Sequence, residues 1–123
     1  GMQLLFESSE EGNQSGLGLI PGHVKRFRLD DQNLRIPHMG WNVVRPKQSS
    51  NLFNVEDKQR FYFVHSYHVD CTNVKDVSAE TQYGYDFVSA VESEKVMGVQ
   101  FHPEKSHRFG MVLFERFLNL KSC

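Results

Sequence analysis

Apolar positions along the chain follow two rhythms. From residue 23 to residue 101 they alternate with polar ones or cluster in short aromatic and β-branched blocks, as strands require. Near the two ends they recur at helical spacing. Val24, Phe27 and Leu29 sit among Lys25, Arg26 and Arg28, predicting a short strand over His23–Leu29. Leu34 to Pro37 leads into HMGWNVV, an extended stretch with a kink at Gly40. Phe61 to Val69, FYFVHSYHV, is aromatic and β-branched between charged flanks and is the strongest strand signal. Tyr85–Val91 and Val96–Phe101 predict two more strands, joined through Glu92–Lys95 as a hairpin-like turn.

The helical signals are terminal. Met2, Leu5 and Phe6 repeat at helical spacing ahead of the polar Glu7–Ser9. Lys105–Leu120 is the better helix, with Phe109, Val112, Leu113, Phe117 and Leu120 along one broad face. Between these elements, residues 10–22 (EEGNQSGLGLIPG) read as a loop pinned by Leu17, Leu19 and Ile20. Arg45–Asn51, with Pro46, is a second loop, and Asp57-Lys58-Gln59 a turn. The pattern alone gives a β-rich middle with a helix at each end. No βαβ unit repeats, so periodicity does not point to a doubly wound sheet.

Composition narrows the class. The 123 residues suit one domain with one core, supplied by ten Phe, four Tyr and one Trp. Hydrophobic residues at 39% and charged residues at 24% argue against intrinsic disorder. The net charge is −1 with acids and bases interleaved, so no basic stripe signals nucleic acid and no polybasic run signals a membrane. Apolar runs are short and no leader pattern stands at the N-terminus, so the expected location is cytoplasmic. Gly1-Met2 reads as a protease scar before an initiator methionine. Cys71 and Cys123 read as two free thiols.

One stretch carries chemistry. In Gly98-Val99-Gln100-Phe101-His102-Pro103-Glu104-Lys105-Ser106 a strand runs straight into His-Pro-Glu. Pro103 fixes its own φ and drives His102 to an extended conformation. Glu104 can then turn back on the imidazole. A carboxylate on one ring nitrogen sets the tautomer and leaves the other nitrogen as a general base. On chemistry alone, His102-Pro103 is equally a satisfied turn after an edge strand.

GVQFHPEKS resembles the His-Glu motif of the class I, triad-type glutamine amidotransferases. Gly1-Met2-Gln3-Leu4-Leu5-Phe6-Glu7 resembles the segment directly after the catalytic cysteine in that family. Pro37-His38-Met39-Gly40-Trp41-Asn42 and Phe63-Val64-His65-Ser66-Tyr67 narrow the likeness to the glutaminase branch serving imidazole glycerol phosphate synthase in histidine biosynthesis, or a close paralogue. The motifs stand in the family's order and run from end to end of the chain.

The resemblance implies an α/β domain of flavodoxin-like three-layer type, present here as its C-terminal portion over residues 1–123, with a β-rich mixed sheet and flanking helices. It implies His102 as general base and Glu104 as its orienting partner. Gln3 and Glu11 would hold the amide and the α-amino end of glutamine. His65, Ser66 and Tyr67 would line the glutamine pocket, with backbone groups of Ser66 and Tyr67 on the α-carboxylate. Pro37, His38, Met39, Gly40, Trp41 and Asn42 would face a cyclase or synthase subunit, with Trp41 near the contact. No cofactor and no metal are implied.

Each residue has a plainer reading. Gln3 could be an exposed helix residue, Glu11 a loop charge, Trp41 core, and Tyr67 and Phe63 partners on one strand face. A metal module built on His65, His68 and Cys71 is disfavoured, because alternation turns His68 away from the other two. The strand–Cys–helix elbow of the family is absent from the sequence. The expectation is therefore a truncated glutaminase without turnover. Its rivals are a longer chain with a misassigned start, and a non-catalytic remnant that only binds a partner. Removal of the missing part should bare apolar surface, hidden in a homodimer or by rearrangement of the N-terminal helix.

Overall fold

A computed structural model describes residues 6–9, 20–30, 33–47, 50, 51, 53, 59–93 and 96–121. Among these, eight strands form a mixed sheet. They are β1 (Phe6–Ser9), β2 (Ile20–Arg26), β3 (His38–Pro46), β4 (Gln59–His65), β5 (Tyr67–Cys71), β6 (Val77–Tyr83), β7 (Tyr85–Glu92) and β8 (Met97–Val99). The order is β1-β2-β5-β7-β6-β3-β4, and β8 also pairs with β7. Only β1 and β2 run parallel; the other pairs are antiparallel. Helix α1 (His107–Lys121) follows a 3₁₀ turn at Pro103–Lys105. The expected mixed α/β class is therefore found, with antiparallel pairing dominant.

The strands form because their inward positions are large and apolar. In β4, Gln59, Phe61, Phe63 and His65 are buried while the residues between them are more exposed. Strand β7 is buried over five consecutive positions, Phe87–Val91, because apolar material lies on both of its faces. Phe87 and Ala90 join a cluster with Phe27, Val44, Phe53, Phe61, Phe63, Phe101 and Leu113. Val88 and Val91 join a second, with Phe6, Ile20, Val24, Val69 and Val77. Each fully buried Phe or Val contributes about 1.5–3 kcal/mol of hydrophobic stabilisation. A bulge puts Ala90 on the side of Phe87 and Val91 on the side of Val88: Glu80 pairs with Val88 and Ala79 with Ala90, so Ser89 is extra. The Ser89 hydroxyl takes a hydrogen bond from Thr81, 2.9 Å away, and both are fully buried.

Several elements differ from the sequence reading. Phe6–Ser9 is a strand, not the end of a helix; Phe6 pairs with Ile20 and is fully buried. Four residues are too few to tell a period of 3.6 from a period of 2. Residues 1–5, with Met2, Gln3 and Leu5, lie outside the described residues, as do Glu11, Leu17, Leu19, Asp57, Lys58 and Cys123. Phe61–Val69 is not one strand but two, bent at Ser66, where β4 leaves its partner β3 and the chain joins β2 as β5. Strand β2 begins at Ile20, and β3 runs on to Pro46.

Strand β6 has no counterpart in the sequence reading. VSAETQY is too small and polar to signal itself, and it is held by β7 through Gly84, whose φ of +80° makes the tight turn. On α1, Leu113 is buried and Phe109 and Phe117 pack on the larger cluster. Val112, however, faces out with Met111, Phe114 and Leu118. The helix therefore bears a second apolar stripe, which a single hydrophobic face does not anticipate. Among the described residues, no helix is long and apolar enough to cross a membrane.

Candidate active site

Strand β8 ends at Val99, and Phe101 is buried against Phe61, with ring centroids 4.0 Å apart. The chain then turns at His102, extended at φ −101° and ψ 98°, as the following proline demands. Its amide donates to the Tyr62 carbonyl of β4 at 2.9 Å. The 3₁₀ turn brings Glu104 back, so that His102 Nδ1 lies 2.8 Å from Glu104 Oε1. A carboxylate only accepts, so Nδ1 carries the proton and Nε2 is the basic nitrogen. No described residue bonds Nε2. The two side chains are 38% and 61% exposed, so the pair opens to solvent. Glu104's own amide, followed by the imidazole, holds its carboxyl below the usual carboxylate range.

A second set of imidazoles lies inside the sheet. His65, at the end of β4, places Nδ1 2.8 Å from the Tyr67 carbonyl and Nε2 2.9 Å from Nδ1 of His38 on β3. His38 Nε2 is 3.2 Å from the side-chain amide nitrogen of Asn42. Donor rules give the chain one direction. A carbonyl cannot donate, so His65 Nδ1–H donates to Tyr67. His65 Nε2 then accepts from His38 Nδ1–H, and His38 Nε2 accepts from Asn42. Asn42 is locked by donating to the Gln82 carbonyl (2.9 Å) and accepting from the Val43 amide (2.7 Å).

His38 is stacked between Tyr83 and Phe63, at centroid distances of 4.0 and 4.9 Å. Burial lowers the pKa of both His38 and His65 to about 4. For His65 the Tyr67 carbonyl partly opposes this, and His38, His68 and His102 add smaller repulsions. Burial also lowers His68, whose Nε2 lies 2.9 Å from the Tyr85 hydroxyl.

These positions distribute the sequence-derived candidates. His102 and Glu104 form one pair. His65, Ser66 and Tyr67 form the β4–β5 corner, with the Ser66 carbonyl accepting from the Phe27 amide at 3.1 Å. His65 lies inside that corner with both ring nitrogens engaged, so its side chain supports the corner rather than opening from it. Gln3 and Glu11 lie outside the described residues.

The Pro37–Asn42 segment follows a cis Ile36–Pro37 bond and is split by strand alternation. Met39 and Trp41 point outward, at 62% and 45% exposure. His38 is buried, and Asn42 and Gly40 are half-buried, so the outward surface of this segment belongs to Pro37, Met39 and Trp41. Trp41 meets Tyr62 edge-on at 6.0 Å and stacks on His107 at 5.7 Å. Cys71, on β5, is a free thiol pushed up to about 12 by burial and by Asp76 and Asp70, a poor setting for a nucleophile. Among the described residues, no group of three or more His, Cys, Asp or Glu could hold a metal ion.

Sequence reasoning missed the His38–His65–Asn42 chain and the role of Ser106. Asn42 and His38 sit four residues apart on a strand, hence on one face, which was the available signal. The pairing with His65 required the β3–β4 register.

Comparison with known proteins assigns the chain to a family. The family model for glutamine amidotransferase class-I matches residues 1–120. The imidazole glycerol phosphate synthase subunit HisH of Leptospira borgpetersenii is 51% identical over 123 residues, covering 98% of this chain and 60% of that protein. HisH 2 of Methanococcus maripaludis is 49% identical over 119 residues, covering 96% of this chain and 58% of that one. The chain thus spans about 60% of the length of these curated relatives. The fold resembles the crystal structure of a GMP synthase subunit from Thermoplasma acidophilum, with a TM-score of 0.62 and 18% identity over 82% of this chain and 49% of that one. The His-Pro-Glu corner, the sheet that carries it and a family match over nearly the whole length lead to one conclusion: this chain belongs to the class I glutamine amidotransferases.

Proposed function

We propose that this chain supplies the histidine–carboxylate part of a glutaminase site. The subunit would deliver ammonia to a cyclase or synthase partner in the cytoplasm, as in histidine biosynthesis. The observation that supports this most is the 2.8 Å contact between His102 Nδ1 and Glu104 Oε1, which leaves Nε2 as the basic nitrogen of a part-exposed side chain. Residues 1–123 act in this reading as one partial amidotransferase domain.

In the first step His102 Nε2 takes the proton of a cysteine thiol, and the thiolate attacks the side-chain amide carbon of glutamine. His102 then gives that proton to the departing ammonia, leaving a thioester. Water, activated by the same nitrogen, hydrolyses the thioester to glutamate and restores the thiol. Glu104 holds the tautomer and stabilises the imidazolium at each step. The Ser66–Tyr67 backbone would bind the α-carboxylate, and Gln3 and Glu11 the amide and amino ends. Neither Cys71, with its raised thiol, nor Cys123, the last of these residues, is read as the sulfur, so the 123 residues alone are expected to show no turnover. Met39 and Trp41 supply the outward face toward the synthase subunit, and the Met111, Phe114 and Leu118 stripe is a surface that a homodimer could cover.

A chimera tests the reading. Replacing the matching 60% of the Leptospira borgpetersenii relative with this chain should give a protein that releases ammonia from glutamine. His102→Ala should lower turnover by about 10²–10⁴-fold, and Cys71→Ala should leave it unchanged. A second reading is a non-catalytic, partner-binding module, favoured by the two outward apolar side chains Met39 and Trp41. A folded chimera that binds the synthase subunit but releases no ammonia would select it.

A further inference from the structure

Ser106 closes the histidine motif, yet the proposed chemistry leaves it without a task. It is fully buried. Its hydroxyl accepts from the Tyr62 amide at 3.0 Å and donates to the His102 carbonyl at 2.6 Å. The His102 amide in turn donates to the Tyr62 carbonyl at 2.9 Å. Tyr62 and His102 form an isolated antiparallel bridge. A hydrogen-bonded antiparallel pair exchanges two direct N–H···O=C bonds. Here one of them is direct, and the other is interrupted by a serine hydroxyl. Only a group that accepts and donates at once can be spliced in this way.

The splice has consequences for His102. Strand β8 ends three residues earlier, so β4 must fix the peptide from which the imidazole projects. Its carbonyl takes two bonds, from Ser106 Oγ and from the Lys105 amide at 3.1 Å. The Ser106 backbone continues the anchorage. Its amide donates to the Pro103 carbonyl at 3.0 Å, and its carbonyl receives the Phe109 amide at 3.2 Å as α1 begins. One residue therefore joins β4, the His-Pro-Glu turn and the first turn of the helix.

We propose that Ser106 is a positioning residue for the His102–Glu104 pair: its hydroxyl holds the His102 peptide at the angle that lets Nδ1 reach the carboxylate. The inference rests on the glutaminase reading for its functional meaning, but its geometry can be tested separately. Removing the hydroxyl leaves the His102 carbonyl with the Lys105 amide alone and takes the acceptor from the part-buried Tyr62 amide. The corner relaxes, and the imidazole loses its tautomer preference.

The test uses the 123-residue chain labelled with ¹⁵N. Long-range proton–nitrogen correlation at a pH where the rings are neutral reads the tautomer of each histidine. His102 should be mainly Nδ1–H in the wild type and should lose that preference in Ser106→Ala. His65, held by Tyr67 and His38, is the internal control and should not change. Ser106→Thr, which keeps the hydroxyl, should restore the wild-type ratio. A mere loss of stability moves neither ratio. If Ser106→Ala unfolds the chain and His65 changes as well, Ser106→Cys decides, since a thiol keeps the space filled but bonds weakly. A shifted His102 beside an unchanged His65 supports the inference, and an unchanged His102 overturns it. Glu104→Gln separates this result from the reading beneath it. A tautomer that responds to Glu104→Gln but not to Ser106→Ala sinks the role of Ser106 alone. A chimera that keeps its glutaminase turnover after His102→Ala sinks the catalytic reading and leaves the tautomer result standing.

Discussion

Two imidazole pairs in this molecule share a contact distance and little else. His38 and His65 meet at 2.9 Å inside the sheet; His102 and Glu104 meet at 2.8 Å on its rim. The inner pair has aromatic rings around it and only neutral hydrogen-bond partners, so burial dominates and both rings stay neutral far below the usual histidine range. The outer pair has a carboxylate partner and solvent access. The inner rings serve as directed amides would, each donating once and accepting once. The outer ring keeps one nitrogen uncommitted. A histidine's task here follows from its partner and its exposure rather than from its hydrogen-bond length.

Acid should separate the two regions most strongly. The folded-state pKa of the inner rings is about 4, below the ordinary value of 6.5. Below 6.5 the unfolded chain therefore binds protons that the folded chain refuses. Stability is full above pH 6.5 and falls as pH drops toward 4, by on the order of 3 kcal/mol per ring. Urea denaturation across that window measures it, and a flat profile would contradict the neutral relay. His38→Phe should flatten part of the slope.

Gly110→Ala attacks the outer region alone. A Cβ there would lie 1.9 Å from the Pro103 carbonyl oxygen, which is backbone and cannot swing aside. Helix α1 must move off the His-Pro-Glu turn, at a cost of about 2–3 kcal/mol. Denaturant midpoints give the loss. Nitrogen spectra should show His102 changed and His65 untouched.

His65→Leu attacks the inner region. It orphans the His38 donor and removes one bond to the Tyr67 carbonyl, at about 2 kcal/mol. Adding His38→Leu removes that orphan, so the double variant should lose less than the sum of the singles. Strict additivity would mean that the two rings are not coupled.

Glu104→Gln should have the smallest effect on stability, below about 0.5 kcal/mol, because the pair is exposed and screened. In the chimera the same change should still depress turnover, and a large loss of stability with full activity would reverse the roles assigned to the two regions.

The sequence made the outer region readable because its determinants are adjacent. His102, Pro103 and Glu104 are consecutive, and the proline restricts the backbone locally, so the carboxylate's return could be argued without knowing the fold. The inner region was legible only in pieces. His38 and Asn42 lie in one extended stretch and His65 in another, and nothing local says that β3 and β4 pair with His38 opposite His65. The sequence also read Phe61–Val69 as one strand, because its aromatic and β-branched residues run on between charged flanks with nothing local to mark the bend at Ser66. Strand β6 escaped notice for the opposite reason. Its small and polar residues are buried by neighbours rather than by their own hydrophobicity, as the Thr81–Ser89 hydroxyl pair illustrates.

By itself, the amino-acid order determined most of the strand-forming segments, the main face of α1 and the His-Pro-Glu corner, because backbone restriction and side-chain period act over a few residues. Tertiary structure alone decided which strands are neighbours, which histidines stay neutral, that Ser106 completes a bridge between β4 and His102, and that α1 carries a second apolar stripe. Those outcomes depend on burial and on partners distant in the chain, and neither quantity exists until the sheet has formed.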